Sequence, residues 1–308
     1  MHIFKLISRV ARVIFTTRNF YVIPSVYIGL VKEVNVNFID GTSMRLSKKS
    51  WSNYWDKITT LYVLRKYRGV LKRDLLIFRF GRREIIMKLP RIPGKIEEFA
   101  KRVLYQFYFD QYKYLHVKNR VVVDIGAWIG DTALLFALKG ASKVLAIEPH
   151  PYTFDLLKTN IKLNKLFSVI KPINAAVSSR RGRTAIMFEV RDTGTESLEE
   201  FSVNVNLDAS YIEVPIITLA DVNKVVHELG EYSSFERKAV LKVDCEGCEY
   251  EIILNSSPED LKLYDEIMFE YHCGRVLELI SRLKILGFKT VIVNEYEPEI
   301  GILYAKRD

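Results

Sequence analysis

From residue 120 onward the chain alternates short apolar runs with helical stretches, and no other feature constrains its fold as strongly. The run VVVDI (121–125) is almost continuously apolar, as in a strand covered on both faces. A helix is predicted over Thr132–Leu138, then a strand at KVLAIE (143–148). A second helix from about Tyr152 to Asn164 leads to the strand VIKPIN (169–174). Further strands are predicted at IMFEV (186–190), IEVPII (212–217), VLKVD (240–244), EIMFEY (266–271), KTVIVN (289–294) and IGILYA (300–305). Such alternation predicts an α/β fold: an open, mostly parallel sheet with helices on both faces.

The residues ahead of it have a different character. Residues 1–119 hold 24 Lys/Arg against 8 Asp/Glu, a net +16, whereas 120–308 hold 22 against 29, a net −7. The first 15 residues place Ile3, Leu6, Ile7, Val10, Val13 and Ile14 at helical spacing with Lys5, Arg9 and Arg12 mostly opposite. This is a basic amphipathic helix, suited to packing on its own body or to a membrane surface. VNVNFI and TSMRLS flank Asp40-Gly41, a hairpin signal; LLIFRF and EIIMKL flank Gly81 in a second one. A helix rich in aromatic residues, a packing stripe, is predicted over 96–115. We therefore expect an α+β module over 1–95 and the α/β domain over 96–308. With 49% hydrophobic residues the chain has ample core, which excludes disorder. No run of 18 apolar residues is free of charge, and three cysteines are too few for a disulfide framework, so a cytoplasmic setting is expected.

Four short segments carry the chemistry. The first is Asp124-Ile-Gly126-Ala-Trp-Ile-Gly130, where a strand runs into a glycine-punctuated turn before a helix. Glycine there admits close backbone approach to a ligand, but the Gly-x-Gly-x-x-Gly of dinucleotide sites is absent. The second is Glu148-Pro149 at the end of the next strand. Alone, Glu148 reads as a surface carboxylate; at this spacing from the glycine turn it suits the hydroxyls of a ribose. The third is Lys242-Val-Asp244-Cys-Glu246-Gly247-Cys-Glu249, and the fourth Phe269-Glu270-Tyr271-His272, both closing apolar strands. Acids crowded at a strand end serve a cation, a basic partner or a proton transfer. Cys245 and Cys248 are read as two small residues filling apolar slots, rather than as a redox or zinc pair with His272 and Cys273. No metal ligand set is assigned.

Together these segments resemble the FkbM family of S-adenosylmethionine-dependent methyltransferases. Its Asp-Ile-Gly-Ala-x-x-Gly element is matched at 124–130 and its Glu-Pro-x-Pro at 148–151. Its paired asparagines fall at Asn160 and Asn164, and its Lys-x-Asp-x-Glu-Gly-x-Glu at 242–249. The Thr-Leu-Asp element is met only in part, since Ala220 stands at the acid and Asp221 follows. The resemblance implies the Rossmann-like class I methyltransferase fold, with seven strands and a terminal antiparallel pair. It implies S-adenosylmethionine as cofactor, held by Asp124, Gly126, Ala127, Gly130, Glu148 and Pro149, with Asn174 at the adenine edge. Asp244 and Glu246 would form the acidic pair near the acceptor, and Glu270 and His272 would position or deprotonate it.

The expected reaction is O-methylation of a small molecule, sugar or lipid-linked glycan. The basic front half suits an anionic or membrane-associated acceptor and peripheral membrane contact. A nucleic-acid acceptor is disfavoured, because neither the Asn/Asp-Pro-Pro-Tyr/Phe signature of amino-group methylation nor a Pro-Cys nucleophile is present. A non-catalytic binding module on the same fold is the remaining alternative. Acceptor pocket walls are expected from the N-terminal module and the loop around Gly194–Ser197.

Overall fold

A computed structural model describes residues 10–188, 210–229 and 239–307, apart from 11, 93, 94, 273 and 298. The chain forms two compact units, Met1–Tyr108 and Phe109–Asp308. The expected boundary at 95/96 lies earlier. The helix Ile96–Phe109 belongs almost wholly to the first unit, because Phe107 packs edge-on against Phe78 and Phe80 at 4.8 and 5.5 Å. Its aromatic stripe is core only in part: Phe99 and Phe107 are buried with Val103 and Leu104, Tyr105 and Tyr108 are half-buried, and Phe109 is exposed.

In the first unit β1 (Glu33–Asn37) and β2 (Ser43–Ser47) form the hairpin around Asp40-Gly41. Val36, Phe38 and Leu46 from it pack with Tyr54 and Ile58 of the helix Trp51–Lys66. A separate sheet joins β3 (Val70–Lys72), β4 (Leu75–Phe80) and β5 (Arg83–Lys88). The last two are the second predicted hairpin; β3 was not foreseen. Of the expected N-terminal helix, residues 12–16 are helical, and 1–9 and 11 lie outside the described residues.

The second unit holds the predicted sheet. Its parallel strands are β6 (Val121–Ile125), β7 (Lys143–Ile147), β8 (Ile170–Ile173), β12 (Ala239–Val243) and β13 (Tyr264–Tyr271). β14 (Lys289–Glu297) and β15 (Ile300–Lys306) complete it in the order β14-β15-β13-β12-β6-β7-β8. β15 runs antiparallel to both neighbours. β6 and β12 are buried along their whole length, the reason their sequences read as unbroken apolar runs. The helices Asp131–Leu138, Pro151–Leu163, Leu219–Glu228, Cys248–Asn255 and Val276–Ile285 connect the strands.

Two predicted strands leave this sheet. β10 (Gly182–Phe188) and β11 (Ser210–Thr218) pair with β9 (Ala176–Ser178) in a three-stranded sheet of their own. Periodicity marks a strand without saying which sheet receives it. The loop around Gly194–Ser197 lies outside the described residues.

A buried charge cluster ties β13 to the chain leading into β6. Glu266, 2% exposed, accepts from Arg120 Nη1 at 2.9 Å, from the His116 amide at 3.0 Å and from the Tyr304 hydroxyl of β15 at 3.1 Å. Burial would raise its pKa, but these donors hold it below the ordinary value of 4.5. A carboxylate with a lowered folded pKa adds stability above its unfolded pKa and loses it as the pH falls through the folded one. Glu266→Ala removes one of two carboxylates that Arg120 pairs with, leaving Asp265 and the Ala239 carbonyl, and the expected cost is about 1–3 kcal/mol in urea unfolding at neutral pH. The variant should also show a shallower acid loss of stability than the parent, measured by unfolding between pH 6 and pH 3.

Candidate active site

The carboxyl ends of β6, β7, β12 and β13 bring the four segments to one edge of the sheet. At their centre is Lys242, 1% exposed, whose Nζ lies 3.0 Å from Asp124 Oδ1 and 3.8 Å from Asp244 Oδ2. It also donates to the carbonyls of Gly126 at 2.7 Å and Ile125 at 3.2 Å. Burial alone would discharge this amine; the neighbouring Asp124 and Asp244 hold its pKa above the ordinary value. The other Asp124 oxygen accepts from Thr132 Oγ1 at 2.6 Å, and the residue is fully buried. Asp124 therefore faces Lys242, not the open edge, and holds the glycine turn in place.

That turn is tight. Gly126 has φ +74°, and a Cβ on it would sit 1.6 Å from the Asp244 carbonyl oxygen, so the β6 and β12 loops meet as bare backbone. Gly130, at φ +91°, meets Leu157 Cδ1 at 2.6 Å in the same test. Ala127 is fully buried and spends its amide on the Ile147 carbonyl, 3.0 Å away, so it too shapes the turn from inside. Asn160 explains one of the paired asparagines: its Nδ2 donates to the Ile129 carbonyl at 2.8 Å and ties the turn to the next helix.

Glu148 closes β7, 7% exposed. It accepts from the Trp128 amide at 2.9 Å, the His150 amide at 3.0 Å and Thr153 Oγ1 at 2.8 Å. Burial, only partly offset by these donors, pushes its pKa up to about 7. Among the described residues Oε2 receives only the Trp128 bond, which leaves lone-pair capacity for a hydroxyl donor. Pro149 follows it and is half-buried. Asn174 spends Nδ2 on the Glu148 and Pro149 carbonyls, 2.8 Å each, leaving Oδ1 for a ligand. Asp131 is an addition to the sequence expectations. It opens the helix after the glycine turn, and burial pushes its carboxyl up to about 6 against the pull of Lys242.

On the other side, Asp244, Glu246, Glu270 and His272 lie close together. His272 Nε2 lies 3.3 Å from Glu246 Oε2 and 3.9 Å from Glu270 Oε1. Its Nδ1 is 3.1 Å from Glu249 Oε1, and Glu249 is fully buried. Burial would lower the His272 pKa, but the Glu249 bond and the charges of Glu246, Glu249 and Asp244 push it up to about 9. The ring is then an imidazolium at neutral pH, not a base. Glu270 is raised to about 7 by burial and by the charge of Asp244. One ligand atom each of Asp244, Glu246 and His272 lies within 4.8 Å of the others, but a protonated His272 has no nitrogen lone pair to give a metal ion.

Two neighbours were missed from sequence. Gln111 Nε2 donates to Glu270 Oε2 and the buried Tyr112 hydroxyl to Asp244 Oδ2, both at 2.8 Å. They arrive from a turn ahead of β6 that no motif marks. Asp221, the stand-in for the missing acid at Ala220, caps the helix Leu219–Glu228 by accepting from the Thr218 amide at 3.1 Å. One expectation is overturned: Cys245 and Cys248 are not two separate small residues but are joined by a disulfide across the acidic turn. Both sulfurs are thereby withdrawn from any zinc set, and Cys273 lies outside the described residues.

Residues 124–290, more than half of the chain, match the methyltransferase FkbM domain. The chain belongs to the FkbM methyltransferase family. Methyltransferase sdnD of Sordaria araneosa is 29% identical over 49% of this chain and 66% of its own length. A tRNA (guanine(37)-N(1))-methyltransferase, Trm5b of Methanocaldococcus jannaschii, is 29% identical over 46% of this chain and 38% of its own length. The chain thus spans under two thirds of these curated relatives. The crystal structure of methyltransferase FkbM from Methylobacillus flagellatus overlays with a TM-score of 0.43 and 14% identity, over 70% of this chain and 55% of that one. No helix among the described residues is long and apolar enough to cross a membrane.

Gly126→Ala tests the closeness of the two loops of this FkbM domain. The added carbon meets backbone, which cannot swing aside, so a loss above about 4 kcal/mol is expected in urea unfolding. Gly41→Ala, where a Cβ meets nothing within 4 Å, is expected to cost about 1 kcal/mol through its positive φ alone.

Proposed function

We propose that this chain moves a methyl group from S-adenosylmethionine to a hydroxyl oxygen of a small-molecule, sugar or lipid-linked acceptor. The observation that carries this reading is Glu270, a carboxyl raised to about 7 beside Asp244 and across the strand ends from Glu148. A hydroxyl must lose its proton as it takes up the methyl group, and a base that titrates near neutrality serves best. The cofactor, when bound, supplies an already activated methyl group.

The residues present fit that group. Glu148 keeps an oxygen lone pair beside the glycine turn for a ribose hydroxyl. Gly126 and Gly130 keep Cβ atoms out of the turn, and Asp131 offers a carboxyl to a cationic end of the ligand. Asp124, Ala127 and Asn174 act as positioning residues, the first two from within the core. On the acceptor side, Glu270 takes the proton while Gln111 orients its other oxygen. His272, held by Glu249, stays charged and steadies Glu246 and Glu270 as negative charge builds up.

The rate should rise with pH through about 7 as Glu270 ionises and fall above about 9 as His272 loses its proton. Glu270→Gln is expected to remove the lower limb and reduce kcat by about 10²–10⁴. His272→Gln should remove the upper limb. A lower limb that survives Glu270→Gln would reject this assignment. Glu148→Gln is expected to raise the Kd for S-adenosylhomocysteine by roughly tenfold or more, about 1.4 kcal/mol, in calorimetry. Unchanged affinity would remove the ribose role.

A nucleic-acid acceptor is the second reading, supported by the +16 charge of residues 1–119 and by the tRNA methyltransferase among the relatives. Methyl transfer into bulk RNA that saturates, and that small hydroxylated acceptors do not compete away, would favour it.

A further inference from the structure

Among the described residues of the first unit, one apolar surface stands largely exposed. Residues 20–31 read FYVIPSVYIGLV. Ile23 and Val26 within them are buried, and Ile23 packs in the core with Val36, Phe38 and Leu46. The helix Ile23–Tyr27 is closed by Ile28 N–H donating to the Pro24 carbonyl at 2.9 Å, and Val31 N–H reaches the Ser25 carbonyl at 3.2 Å. This backbone is pinned at both levels. Even so, Tyr27 is 72% exposed, Ile28 66% and Leu30 75%, with Phe20, Tyr21 and Val31 exposed beside them in sequence. The exposure is built into the folded turn rather than a result of fraying.

Charge narrows what can cover such a surface. Residues 1–32 contain five Lys/Arg and no Asp or Glu. Exposed Arg18 and Lys32 bracket the apolar run, and Lys48 and Lys49 follow β2. The nearest acids in sequence are paired: Glu33 with Arg45 at 3.4 Å and Asp40 with Lys57 at 3.1 Å. Nucleic acid would use the cations but has no place for Ile28 and Leu30. An apolar tip with tyrosines and basic side chains around it matches the boundary between headgroups and acyl chains in an anionic bilayer.

We propose that the turn Tyr27–Lys32 is a membrane-docking element, inserting Tyr27, Ile28, Leu30 and Val31 into the interface of an anionic lipid bilayer while Arg18 and Lys32 meet lipid phosphates. Docking is independent of the methyl-transfer reading, since it involves none of the residues at the sheet edge. Failure of either therefore leaves the other standing.

The test is co-sedimentation of the full chain with phosphatidylcholine vesicles, with and without roughly 30% phosphatidylglycerol. The chain should pellet with the anionic vesicles, and I28D/L30D should weaken partitioning at least about tenfold. Both side chains are largely in water, so the unfolding midpoint and S-adenosylhomocysteine affinity of that variant should match the parent. R18E/K32E should weaken binding roughly fivefold per charge or more and flatten its salt dependence. Leu30→Trp should shift its emission to the blue on anionic vesicles. The proposal fails if the parent chain stays in the supernatant with anionic vesicles, or if I28D/L30D pellets as the parent does. It also fails if an RNA ligand displaces the chain from vesicles while I28D/L30D binds that RNA unchanged.

Discussion

The buried pair of Lys242 and Asp124 is the interaction on which the rest of the site depends. A lysine with 1% exposure is tolerable only where anions and carbonyls surround it, and here it has two carboxylates and two backbone oxygens. Such a pair contributes little net stability, since stripping water from both ions costs about what their attraction returns. What it supplies is position. Lys242 belongs to β12 and Asp124 to β6, so the pair fixes where the two loops after these neighbouring strands begin. The ring of Tyr112 lies 5.5 Å from the same ammonium and carries its influence to Asp244 through the hydroxyl.

Around that fixed cation the remaining charges divide into two roles. Glu249 is buried and spends its oxygens on the Gly247 amide and on His272, so it orients its neighbours. Glu270 and Glu148 are crowded or desolvated and sit near neutrality, one on each side of the glycine turn. Carboxyls of the same pKa range thus stand at the ends of β7 and β13, each raised by its own surroundings.

The α/β sheet was legible because β6, β7, β12 and β13 are buried on both faces and cannot hide their apolar character. Motif spacing led to Glu148, Asp244, Glu246, Glu270 and His272. It was less informative about Asp124 and Ala127, since a residue that shapes a turn from inside looks the same in sequence as one that touches a ligand. Gln111 and Tyr112 escaped because contact across more than a hundred residues leaves no local pattern. The Cys245–Cys248 bond escaped for a different reason: three cysteines in 308 residues argue against disulfides as a framework, and that argument says nothing about one short cross-link. The separate β9-β10-β11 sheet escaped because pairing choice is a tertiary decision.

The place of β15 has a consequence for the order in which the sheet can be assembled. This strand follows β14 in sequence, yet it lies between β13 and β14, pairing antiparallel with both. While the ribosome is still making residues beyond β13, that strand presents an open edge directly beneath Glu270 and His272. Only when Ile300–Lys306 has emerged can the gap close, and it closes with a hairpin, the quickest kind of strand pairing. The acidic end of the site therefore closes after the Glu148 side has formed, and a nascent chain held short of this point is an exposed strand waiting for a partner.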